Sequence, residues 1–198
     1  ESLVQRLERI CTQEGGEREE LEPCNILYTA LIAAWAQSDM DHAPDRAKEI
    51  FREMLQKSKM GRSNLLPNTI TMNTVIGSFC NHNRIDEARE FQESAKRVVS
   101  PDSKSYLIVL KAYAHSNSED GTQKAQDVLS CLEDEYNYGQ GTIKPTIHMY
   151  SQILVALGNG PQSDGAFRAE ELFWKLLREN DGNRVVPNTA TLTCVLRA

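Results

Sequence analysis

Short polar side chains recur at one register of this 198-residue chain. Six residues after Pro23, Pro67, Pro145 and Pro187 stand Thr29, Asn73, Ser151 and Thr193; the same place after Pro101 holds Leu107. Hydroxyl and carboxamide groups do no acid–base chemistry near neutral pH. They can instead choose among donor and acceptor patterns on a ligand held at a fixed depth. The bland alternative is local, because Thr and Asn near a helix start often bond the backbone of their own turn. Recurrence at one register in three full units favours the ligand-facing reading.

Nothing else in the chain offers catalysis. The four histidines (His42, His82, His115, His148) have no paired nucleophile, and no G-x-S-x-G, H-E-x-x-H or phosphate-loop pattern is present. "EGGEREE" and "GNGPQSDG" are turns rather than phosphate loops, since neither follows a strand. Glu170 and Glu171 read as a solvated helix face. Five cysteines (Cys11, Cys24, Cys80, Cys131, Cys194) are odd in number and scattered, with no C-x-x-C pair, so neither a disulfide framework nor a zinc site is expected. A reducing compartment fits that usage. The expectation is no enzyme, no metal and no cofactor. No apolar run approaches 18 residues, so no membrane span is expected.

The elements that must position the polar register come from a repeat. "PCNILYTALIAAWAQS", "PNTITMNTVIGSFCNH", "PDSKSYLIVLKAYAHS" and "PTIHMYSQILVALGNG" align from Pro23, Pro67, Pro101 and Pro145, with "PNTATLTCVLRA" following from Pro187. The residue five places after each proline is large and apolar: Tyr28, Met72, Tyr106, Tyr150 and Leu192. Apolar pairs at helical spacing follow, and each complete unit adds a second helical pattern around Ala47, Ala88, Ala125 or Ala169. Each unit therefore reads as helix A, a turn, helix B and a linker closed by proline. The expected A helices cover Asn25 to Ser38, Thr69 to Asn83, Ser103 to Ser116 and Ile147 to Gly160. The proline intervals are 44, 34, 44 and 42 residues. The longer units are expected to carry their extra residues between the helices and at the end of helix B, as a stacked array tolerates. No segment sustains strand alternation. The fold expected is all-α, with complete repeats at 25–68, 69–102, 103–146 and 147–188, a partial helix B in 1–24 and a partial helix A in 189–198. Because apolar patterning runs to both ends, the chain reads as part of a longer array.

Residues 69–102, "TITMNTVIGSFCNHNRIDEAREFQESAKRVVSPD", resemble the pentatricopeptide repeat (PPR). "TMNTVI", "RIDEA" and the closing Pro101-Asp102 carry the likeness, and "LYTALI", "SYLIVL" and "MYSQIL" extend it to the other units. The tetratricopeptide pattern of Trp, Leu-Gly and Tyr is not seen. This resemblance implies a right-handed α-solenoid of helix-turn-helix repeats and sequence-specific binding of single-stranded RNA, about one base per repeat. It also implies work on organellar transcripts, in a mitochondrion or plastid. In the family, the fifth residue of helix A reads a base together with the residue after the closing proline. Carried over, the pairs are Thr29 with Asn68, Asn73 with Asp102, Leu107 with Thr146, and Ser151 with Asn188; Thr193 holds the same place in the following unit. The implied preference is an A-U-any-A core, with Leu107 off the code. The second residue of helix A is implied to flank the base, which points to Ile26, Ile70, Lys104 and His148.

Charge tests the implication. The net charge of −6 and pI near 5.3 count against nucleic acid when taken as a whole. None of the four expected A helices contains Asp or Glu, although the chain has 28. They do contain Lys104, Lys111, His82, His115 and His148, so a groove lined by A helices would be neutral to weakly basic behind an acidic back. Where the family often places a phosphate-binding lysine, this chain has Gln37, Asn81, His115 and Asn159, which implies weak binding of low salt dependence. The rival class is a protein-interaction scaffold of TPR-like helical repeats, using the same concave face for a protein partner.

Overall fold

The computed structural model describes residues 25–61, 63–116, 120–139, 141–159 and 164–178, together with Thr189, Leu192 and Thr193. The partial helix expected in 1–24 and most of that in 189–198 lie outside these residues. Among the described residues there are eight α-helices and no strand: α1 (Asn25–Ala36), α2 (Ala43–Lys59), α3 (Thr69–Asn81), α4 (Ile85–Ala95), α5 (Ser103–Ala114), α6 (Gly121–Asn137), α7 (Ile147–Asn159) and α8 (Gly165–Arg178). A 3-10 turn at Ser63–Leu65 leads toward α3. The fold is all-α, as expected.

The chain divides into two compact units, Glu1–Pro101 and Asp102–Ala198. In the first, α1 pairs with α2, and α3 seats on both of them before pairing with α4. The second repeats the scheme: α5 pairs with α6, and α7 seats on both before pairing with α8. Such stacking demands an A helix that is apolar on more than one side. Accordingly α1 buries Tyr28, Leu31, Ile32, Trp35 and Ala36, and α3 buries Met72, Val75, Ile76 and Phe79. The residue five places after the proline (Tyr28, Met72, Tyr106 or Tyr150) is buried in all four repeats. A buried tyrosine must satisfy its hydroxyl. Tyr28 accepts from Lys57 Nζ at 3.0 Å, and Tyr106 donates to Glu135 at 3.1 Å, each tying an A helix to its own B helix. Phe91 of α4 meets Phe51 of α2 edge-on at 5.1 Å between ring centres and Phe79 of α3 at 6.4 Å, joining the two pairs of the first unit.

Helix starts follow the local sequence. Asn68 and Asp102 take extended backbone and cap α3 and α5, each accepting from the N–H three residues on. Asp102 forms a full capping box with Ser105. Helix ends come earlier than the sequence suggests: α1, α3 and α5 stop at Ala36, Asn81 and Ala114. For α3 the cause is a Schellman turn. Asn83 sits at φ 57°, the Arg84 N–H donates to the Phe79 carbonyl at 2.9 Å, and that of Asn83 to the Cys80 carbonyl at 3.1 Å. The extra residues of the long units lengthen the B helices themselves. α2 and α6 run 17 residues against 11 in α4, so the addition is largely helix rather than linker. "LQKSK" and "CLEDEYN" contain no Gly or Pro to stop the helix.

Candidate nucleic-acid interface

The polar register lies on the A helices, three residues after the expected base-flanking positions. A spacing of three puts each such pair on one helix face. Ile26 and Ile70 are 79% and 68% exposed, which is unusual for isoleucine within an otherwise apolar helix. Lys104 and His148 are exposed at the same place in α5 and α7. Thr29, Leu107 and Ser151 are half-buried. Asn73 is deeper, at 8% exposure, so it lies under the surface rather than open on a groove.

Thr29 and Asn68, expected to work together, are brought together through Thr71. The Thr29 hydroxyl lies 2.9 Å from that of Thr71, whose hydroxyl and N–H stand 3.0 and 2.9 Å from Asn68 Oδ1. Asn25, at the first position of α1, completes the cluster: its Oδ1 is 3.1 Å from the Thr29 hydroxyl, and its amide donates to the Leu66 carbonyl. The cluster bridges α1, the linker and α3. Thr71 escaped the sequence reading. The available signal was that Thr71 and Ser105, four residues after Pro67 and Pro101, are small hydroxyls where the other complete repeats have Leu27 and Met149.

The other pairs are less complete. Asn73 belongs to the first unit and Asp102 opens the second, and each is described within its own unit. Leu107 and Thr146 are both half-buried, and Leu107 brings no polar group. Ser151 donates to the Ile147 carbonyl at 2.8 Å, and Thr193 to that of Thr189 at 2.8 Å, both following the local bonding that was the bland alternative. Asn188 lies outside the described residues.

The electrostatics match the register. The described A helices carry no carboxylate, while Lys104, Lys111, His115 and His148 are exposed on α5, α7 and the turn after α5. His115 Nε2 stands 3.3 Å from Gln152 Oε1 of α7. Among the described residues no group of His, Cys, Asp and Glu could hold a metal ion, and no helix is long and apolar enough to cross a membrane. Burial pushes the Cys80 thiol up to about 12, so this cysteine stays protonated and unreactive near neutral pH.

Residues 67–115 match the PPR repeat family, a span running from the cap of α3 through the whole of α5. Residues 67–115 thus carry the PPR repeat. The match covers the Asn73 repeat in full and helix A of the next, the region where the likeness to the PPR motif was strongest in the sequence. A search of curated proteins finds no match to the chain. PPR repeats are in general RNA-binding helical repeats, and the stacked helix pairs of each unit are the architecture that such a motif builds.

Proposed function

We propose that this protein binds single-stranded RNA in a sequence-specific way along its A helices, about one base per repeat, in organellar RNA metabolism. The observation that carries the reading is the placement of Ile26 and Ile70, each largely exposed and one helical turn before the polar residues Thr29 and Asn73, on helices free of carboxylates. An exposed aliphatic side chain supplies a face for a base to pack on; the polar residue beside it supplies hydrogen-bond choice. The base readers are Thr29 with Asn68, Asn73 with Asp102 and, more weakly, Ser151 with Asn188; Leu107 with Thr146 leaves its base unread. The test is a binding titration at low salt with an RNA bearing the A-U-any-A core, on the chain and on its Asn73→Thr, Asp102→Asn double variant. The variant should shift the second base from uracil toward adenine. Absence of RNA affinity, or an unchanged preference in the double variant, overturns the reading.

A protein-interaction scaffold is the second reading, favoured by exposed Phe167, Trp174 and Leu177 on α8 and by the net charge of −6. A stable complex with a protein partner that survives ribonuclease, from a chain with no RNA affinity, would establish it.

A further inference from the structure

We propose that Thr71 is a specificity-determining residue for the first base, acting by fixing what Thr29 and Asn68 can offer it; this rests on the RNA-binding reading above. Thr71 is fully buried, and its own N–H and hydroxyl both approach a single atom of Asn68. A backbone N–H can only donate, so that atom is the carbonyl oxygen of the carboxamide. The end of Asn68 left for a ligand is its Nδ2 amino group, a pure donor on an exposed side chain. A fixed donor favours a base with an acceptor at its ring nitrogen, as in adenine N1, over one carrying N–H there, as in guanine.

Thr29 is held by the same cluster. Two hydroxyl protons serve three oxygen contacts: Thr29 to Asn25, Thr29 to Thr71, and Thr71 to Asn68. Because Thr71 gives its proton to Asn68, its oxygen is left as an acceptor, and the single Thr29 proton is shared between Thr71 and Asn25. Thr71 touches no base in this scheme; it is a positioning residue that couples the two readers. Valine in its place keeps the shape and the N–H that caps α3 through Asn68, and removes only the hydroxyl that orients Thr29.

The experiment measures adenine-over-guanine preference at the first base for the chain, Thr71→Val and Thr71→Ser, by titration at low salt with thermal melting run beside it. In Thr71→Val the preference should fall roughly three- to tenfold, the value of one hydrogen bond, while Thr71→Ser keeps it. Should valine lower the melting temperature, Thr71→Cys, whose thiol is a much weaker partner, repeats the test in its place. A parent-like preference in the variant lacking the hydroxyl overturns the proposal, as does an equal loss in Thr71→Ser. If the parent chain binds RNA with no preference at the first base, or not at all, the RNA reading itself falls and takes the proposal with it.

Discussion

Arg84 grips Asp45 across 39 residues of chain, Nη1 to Oδ2 at 2.6 Å and Nη2 to Oδ1 at 3.0 Å. The same guanidinium holds Glu87 through two bonds of 2.6 Å and lies 5.1 Å from the centre of the Phe79 ring. It thus joins the turn between α3 and α4 to the first turn of α2, one helix pair to the next.

Hydrogen bonds from Arg84 hold both carboxyls below their ordinary values of 3.8 for Asp45 and 4.5 for Glu87. A depressed carboxylate stabilises the fold above its unfolded value, and that contribution is lost as pH falls through the folded one. The Arg84 and Asp45 side chains are 28% and 50% exposed, so solvent screens much of the attraction. Asp45→Asn should therefore cost about 0.5–1 kcal/mol at pH 7 and low salt. The difference from the parent, followed by urea unfolding, should shrink with added salt and close as pH falls below 3.8.

Glycine at the start of α6 and α8 marks close approach of backbone to backbone. A Cβ on Gly121 would stand 2.6 Å from the Tyr113 carbonyl oxygen, and one on Gly165 would stand 2.5 Å from that of Leu157. Alanine normally stabilises a helix relative to glycine, and Gly77 of α3, with open space around it, should gain about 0.5–1 kcal/mol on change to alanine. Gly121→Ala and Gly165→Ala should have the opposite sign, losing about 1–3 kcal/mol through overpacking. Denaturant midpoints of the three variants test this directly.

Ile26 and Ile70 separate binding from folding. Being largely exposed, each should change to serine with less than about 0.5 kcal/mol effect on stability. RNA affinity should fall roughly fivefold for each, the worth of about 1 kcal/mol of lost apolar contact. An unchanged affinity in the double variant would remove these side chains from the interface.

Much of this architecture can be read from the sequence because its signals are local. The α3 and α5 starts follow a proline and a capping side chain, and the A helices are apolar enough to bury against more than one neighbour within a unit. What escaped depends on approach between distant segments. The close contact at Gly121 is made by the end of the preceding helix, and the depth of Asn73 depends on what packs around it. Thr71 looks like any threonine until the Thr29 hydroxyl is seen 2.9 Å away. The early end of α3 was the nearest miss, since "NHNR" held an asparagine suited to a left-handed turn.

Within each unit, every A helix that follows a pair seats on both helices of that pair. Interactions of this kind couple nearest neighbours, so each unit should behave like a short zipper, with opening at one edge leaving the far pair intact. In hydrogen exchange, amides of a terminal pair would then trade with solvent through partial opening, ahead of those whose release requires the whole stack to come apart. Any base reader seated near such an edge would be switched on and off by fraying, without a change in its own chemistry.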